Sequence, residues 1–324
     1  MNAEIEKQVQ ELAKQLLAEE KVDLVIGWAP GSVPTRSRPF FARTPEEAEQ
    51  LVVSPLSVHN LTDFLNYYRD TKERIGIIVK GCDARSVAVL LQQEQLPKDR
   101  LFIIGVNCGG VVDIAKLTKK LSVAEEDVAD ILFAGENVKA TLVGGEARTV
   151  KVADVLADRC LACYQHNPQF CDEVFGEPVP DGKPEFVETE ALEGQTLAER
   201  LSRFNSYFDR CIRCYACRNA CPACFCRSCI FDQRDPSWVP LRNELPENQM
   251  MLLIRAFHLA GRCVDCGECE RACPQNIKLR ELNKKLEKEV FDLYDWYAGK
   301  SIEEPVPLST FRVEDYDPAE HEGH

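Results

Sequence analysis

Between residues 211 and 274 the chain carries one cysteine pattern twice. The first copy reads Cys211-Ile-Arg-Cys214-Tyr-Ala-Cys217-Arg-Asn-Ala-Cys221-Pro222. The second reads Cys263-Val-Asp-Cys266-Gly-Glu-Cys269-Glu-Arg-Ala-Cys273-Pro274. Each is a C-x2-C-x2-C-x3-C-P run. Three thiolates at this spacing, on a tight loop, can reach three irons of one cubane. By the fourth Cys the chain has left that cube, so this thiolate reaches the neighbouring cluster, and the Pro turns the backbone away. The spacing therefore assigns Cys211, Cys214, Cys217 and Cys273 to one [4Fe–4S] centre, and Cys263, Cys266, Cys269 and Cys221 to a second. Zinc competes for such thiols, but its structural sites use Cys pairs or Cys/His mixtures, and neither run has a His in ligand register.

This is the paired run of bacterial two-cluster ferredoxins, so a part of the chain that moves electrons is expected here. The rest of the composition fits a chain working in a reducing compartment. It has 324 residues, 16 Cys and a formal net charge of -14. The opening Met1-Asn-Ala-Glu-Ile-Glu-Lys is charged rather than a secretory apolar segment, which makes a disulfide framework the wrong reading of the cysteines. The negative charge argues against nucleic acid or an anionic membrane surface as partner. No window is apolar enough to span a bilayer. A cytoplasmic protein of an anaerobe is expected.

Upstream of the paired runs, helical and strand patterns alternate. Residues 2–20 carry Ile5, Val9, Leu12, Leu16 and Leu17 at helical spacing. Val22–Trp28 reads as a strand, followed by a Gly/Pro-rich loop with Arg36 and Arg38, which serve either as a surface connection or as contacts for an anion. Residues 57–70 read as helix. Ile75–Lys80 and Leu101–Val106 are nearly continuous apolar runs, suited to strands covered on both faces. A helix from Gly81 to about Gln95 separates them. Residues 122–134 read as a helix capped by Ser122 with Glu125 three positions on, and 139–152 as a hairpin turning at Gly144-Gly145. Strands alternating with helices predict an α/β domain with a mostly parallel sheet over residues 1–175. The stretch 176–195, rich in Pro, Gly and Glu, is the expected linker. Residues 196–300 are expected to form an α-helical two-cluster ferredoxin-like domain, with helices near 196–208, 247–260 and 278–297, and 301–324 an acidic tail.

The paired runs use eight cysteines. Cys82 and Cys108 each follow a strand of the first domain, at the carboxyl edge where open α/β sheets collect ligands. Cys160 and Cys163 form a C-x-x-C pair. These four are expected to converge on a third [4Fe–4S] cluster; the competing reading makes Cys82 and Cys108 buried thiols beside a flavin. Cys171, Cys224, Cys226 and Cys229 complete a further set of four, suited to another cluster, to zinc, or to no metal as free thiols. Within it, Cys171 has an alternative place beside Cys160 and Cys163.

Three motifs in the first domain, Lys80-Gly-Cys82-Asp-Ala-Arg85, Ile104-Gly-Val-Asn-Cys108-Gly-Gly and Arg159-Cys160-Leu-Ala-Cys163, resemble the coenzyme F420 hydrogenase/dehydrogenase beta-subunit family over roughly residues 20–175. The resemblance implies an α/β domain that can hold FAD and a [4Fe–4S] cluster, with Cys82, Cys108, Cys160 and Cys163 at the positions of the family's cysteines. It implies partners as well: the other subunits of a hydrogenase, a formate dehydrogenase or a heterodisulfide-reductase-like complex. The leading expectation is thus an iron–sulfur electron-transfer subunit of a multi-subunit oxidoreductase. The alternative is a FAD-containing catalytic subunit acting on a deazaflavin or NAD(P)H. The sequence has no G-x-G-x-x-G fingerprint, no nucleophile triad and no paired general base, so no catalytic residue is assigned.

Overall fold

The computed structural model describes residues 3–307. The acidic tail expected over 301–324 therefore lies, from residue 308 on, outside the described residues. The amphipathic opening becomes helix α1 (Ala3–Ala18), which buries Val9, Ala13, Leu16 and Leu17. Strands β1 (Leu24–Pro30) and β2 (Ser37–Ala42) form an antiparallel hairpin, and the loop between them holds Arg36 in an ion pair with Glu125 at 2.6 Å. The stretch read as helix over 57–70 is helical only over Leu61–Tyr68, in the tighter 3-10 form.

Strand β3 (Ile75–Val79) is buried along its whole length, as its unbroken apolar run requires. It leads into α2 (Gly81–Gln92) and then β4 (Leu101–Val106). Helix α3 (Ile114–Leu121) follows. The main sheet has the order β2-β1-β3-β4-β8, where β8 (Glu173–Phe175) is a short strand alongside β4. All its pairings except β1–β2 are parallel. The expected mostly parallel α/β sheet is present.

The helix expected over residues 122–134 is not. Ser122 instead ends α3 in a left-handed conformation (φ 56), and Val128–Ala134 is a strand, β5. It pairs antiparallel with β6 (Asn137–Leu142), which pairs with β7 (Ala147–Lys151) in a second, three-stranded sheet. The reason is tertiary. The hairpin β6–β7 was legible from Gly144-Gly145, but two strands alone are marginal in water, and a third strand completes a face that can be buried. Val128, Ile131 and Phe133 supply that face against Leu117, Val138 and Val155. The apparent capping box at 122–125 lost to this packing.

After the short helix α4 (Asp158–Leu161), part of the expected linker is helical, as α5 (Val187–Glu193), with Thr189 and Leu192 buried. Beyond it the chain is helical: α6 (Leu197–Arg210), α7 (Ala216–Asn219), α8 (Leu245–His258), α9 (Glu268–Arg271) and α10 (Leu279–Tyr294). Helix α6 opens with a reciprocal cap, Glu199 N–H to Thr196 Oγ1 and Thr196 N–H to Glu199 Oε2. Thr196→Ala should lower stability by about 1 kcal/mol, read as a reduced melting temperature of the iron-loaded protein. An unchanged melting temperature would show that packing alone holds this end.

The two parts of the chain are closely joined. Arg85 of α2, 5% exposed, donates to Ala298 O (2.8 Å) and Val264 O (3.3 Å), and its guanidinium lies over the Tyr164 ring. Among the described residues no helix is long and apolar enough to cross a membrane.

Candidate metal centres

The repeated sequence pattern folds into a repeated backbone. In the first run Arg213 and Tyr215 have positive φ; in the second Asp265 and Gly267 do, at the matching positions. Left-handed residues on both sides of the second Cys, Cys214 or Cys266, tighten the loop. The third Cys of each run, Cys217 or Cys269, sits in a single helical turn, α7 or α9. The fourth closes that turn in the same way, Cys221 N–H to Arg218 O and Cys273 N–H to Glu270 O.

The thiols gather crosswise. Cys263, Cys266, Cys269 and Cys221 line one cavity of about 20 Å³. Cys211, Cys214 and Cys273 lie close enough to act electrostatically on Cys217. In each group one Cys comes from the other run.

A second cavity, about 40 Å³, lies at the carboxyl edge of the parallel sheet and is lined by Cys82, Cys108, Cys160 and Cys163 together. Cys82 is the second residue of α2, Cys108 follows β4, Cys160 lies in α4 and Cys163 just past its end. The parallel order β3-β4 brings the first two side by side. Backbone amides already point at sulfur: Gly110 N–H donates to Cys108 Sγ at 3.3 Å and Val111 N–H to Cys160 Sγ at 3.4 Å. The buried cations Lys80 and Arg85 and the half-buried Arg159 line the same space.

Burial makes these thiols poor acids on their own. It pushes Cys108 up to about 11 and Cys266 up to about 12, and holds Cys82 and Cys269 well above the ordinary thiol value. Thiolates at such positions need strong positive partners. The donor set fits iron–sulfur clusters better than a lone ion. Among the described residues, no three His, Cys, Asp or Glu side chains converge as single-ion ligands. Thiols arranged around a cavity instead suit a group with iron at several corners.

The two cavities share a wall, because Val264 and Asp265 line both. Arg159 spans the same boundary. It donates to Val58 O at 2.7 Å, pairs with Glu268 at 3.6 Å, and rests where a side chain at position 267 would stand. A Cβ there would come within 2.7 Å of Arg159 Cδ, so Gly267 serves both the turn and this approach.

The remaining four cysteines separate. Cys224, Cys226 and Cys229 line a pocket of about 500 Å³ with Arg69, Arg218 and Arg262. Cys171 does not line that pocket or the one holding Cys160 and Cys163. It packs under Gly105, with Asp172 and Lys98 as charged neighbours, and burial pushes its thiol up to about 12. The buried cations were not singled out from sequence. Lys80, Arg85 and Arg159 flank cysteine motifs and carried a signal; Arg255, inside the apolar pattern of α8, carried little.

Residues 72–206 match the family described as the C terminus of the coenzyme F420 hydrogenase/dehydrogenase beta subunit, and residues 207–277 match a 4Fe-4S dicluster domain. The chain is 25% identical to the F420-dependent formate dehydrogenase subunit beta of Methanocaldococcus jannaschii over 353 residues, covering 89% of this chain and 90% of that protein. It is 26% identical to the F420-dependent formate dehydrogenase 1 subunit beta of Methanococcus maripaludis, over 75% of this chain and 76% of that protein. Among solved structures, a chain of the F420-reducing [NiFe] hydrogenase complex of Methanosarcina barkeri aligns with TM-score 0.42 at 15% identity. That alignment covers 53% of this chain and 66% of that one.

Proposed function

With residues 72–206 belonging to the coenzyme F420 hydrogenase/dehydrogenase beta-subunit family, and a 4Fe-4S dicluster domain following, we propose that this chain relays electrons within a multi-subunit oxidoreductase. The complex is of the formate dehydrogenase, hydrogenase or heterodisulfide-reductase-like kind, and it works in the cytoplasm. Three [4Fe–4S] sites stand in series: the Cys82, Cys108, Cys160 and Cys163 site, then the Cys221, Cys263, Cys266 and Cys269 site, then the Cys211, Cys214, Cys217 and Cys273 site.

The observation that carries this reading is the shared wall. Only Val264 and Asp265 are common to the linings of the first two cavities, so a charge crossing between the α/β part and the helical part passes through a thin layer of protein. The clusters supply one-electron chemistry when bound. The protein supplies its electrostatic setting: the amides of Gly110 and Val111 on sulfur, Asn283 Nδ2 at 3.9 Å from Cys269 Sγ, and the Arg159 guanidinium at the boundary. Exposed apolar side chains on the helical part, among them Leu197, Leu201, Ile212 and Phe257, support a partner subunit seated near the last site.

Anaerobically purified protein should hold about four irons per site. Cys214→Ala and Cys266→Ala should each remove or convert one cluster signal while sparing the others. Full iron and unchanged spectra in both variants would end the assignment. Flavin analysis of the same material separates the roles: stoichiometric FAD with turnover of a deazaflavin or NAD(P)H would make the chain the catalytic subunit rather than a relay. Cys224, Cys226 and Cys229 are proposed to hold a further cluster, with Cys171 outside the set; a loss of metal on Cys171→Ala would overturn its exclusion.

A further inference from the structure

Among the described residues Arg255 is a buried charge near the thiols with one hydrogen bond and no carboxylate partner. It lies on α8, 4% exposed, and donates from Nη2 to Cys217 O at 3.0 Å. Its Nε has no hydrogen-bond partner. Of the other cations around the cysteines, Lys80 has Asp83 at 2.7 Å, Arg159 has Glu268 and Arg280 has Asp265 at 2.6 Å, while Arg213, which has no carboxylate either, places its guanidinium on Pro240 O, Arg242 O and Tyr215 Oη. For Arg255, among the described residues, no carboxylate lies within ion-pair distance. Its negative surroundings are sulfur. Burial works against the charge, yet Cys221 and Cys269 of one set, Cys217 of the other and Cys224 of the insert more than offset it. The side chain also lines the cavity of Cys221, Cys263, Cys266 and Cys269 and the pocket of Cys224, Cys226 and Cys229.

A guanidinium taken out of water without a partner is costly, and sequences rarely retain one unless its charge is met. Four thiolates around a cubane bring that charge, since the ligated group is a net anion and becomes more negative on reduction. We propose that Arg255 is the shared counter-charge of the two dicluster sites, raising both reduction potentials. The inference rests on the cluster reading given above. Each reduction adds one electron, makes and breaks no bond and requires no proton, so a fixed buried cation acts on it through Coulomb attraction alone.

The test is an anaerobic dithionite titration of the full chain followed by electron paramagnetic resonance, with iron and sulfide measured on the same samples. Arg255→Gln should keep the wild-type iron content while the equilibrium constant for one-electron reduction falls at least tenfold, a downward midpoint shift of 59 mV or more. Arg255→Lys, which retains the charge, should stay within tenfold of wild type. Unchanged midpoints in Arg255→Gln at full iron content overturn the inference. So does a tenfold fall in Arg255→Lys, which decides the matter if the Gln variant does not assemble. Wild-type protein lacking the iron for the dicluster sites would instead refute the cluster reading itself.

Discussion

Cys82→Ala is expected to lose about four irons per chain, and one cluster signal, while the two ferredoxin-type signals persist. The variant should also melt well below the wild type. Cys82 opens α2 while Cys160 and Cys163 lie far along the chain, so a cluster joining them closes a long loop and ties α4 to the sheet edge. The unfolded chain has no such thiol set, so metal binding contributes folding free energy, and losing a ligand should forfeit several kcal/mol of it. The competing reading, in which these thiols merely line a pocket, predicts a different result. Removing one sulfur would then leave iron unchanged and cost only on the order of 1 kcal/mol of packing. Iron content and thermal unfolding, measured together, separate the two. Full iron with a small shift in melting temperature would refute the third cluster.

How far the sequence could be read depended on whether a feature was local. The paired runs are local, because their loop geometry needs only left-handed residues at fixed positions; the proposed ligand exchange between runs rests on spacing. The parallel strands were legible because a strand buried on both faces must be apolar throughout, as Ile75–Val79 is. Strand β5 was not. Its residues also satisfy a helix pattern, and only the need of β6 and β7 for a third strand decides between them. Cys171 shows the same limit from the site's side. It completes a tidy set of four by counting, but the fold packs it beneath Gly105 instead. The charges that serve the thiols were hidden for another reason: a buried Arg reads as an interruption of an apolar face until the groups opposite it are known.

Gly81→Ala should disrupt the α/β site as severely as the loss of a ligand, without touching any thiol. Gly81 is the first residue of α2 and directly precedes Cys82. A Cβ built there would stand 2.3 Å from Gln165 O and 3.2 Å from the carbonyl carbons of Gln165 and His166. Those are backbone atoms, so no side-chain rotation relieves the contact. Either the start of α2 or the 163–166 loop must move. That loop is pinned by Cys108 N–H to His166 O at 3.1 Å and by His166 N–H to Asp181 at 2.6 Å. Displacing it moves Cys163 relative to Cys82, on which the shape of the cavity depends. Overpacking of this kind costs about 1–3 kcal/mol, before any loss of metal. The variant should therefore melt lower, hold about four fewer irons, and leave the ferredoxin-type signals intact. Gly109→Ala is the matched control, because a Cβ there meets nothing within 4 Å, and it should retain full iron. If Gly81→Ala also retained full iron and wild-type stability, the close approach of α2 to the Cys163 loop could not be what shapes this site.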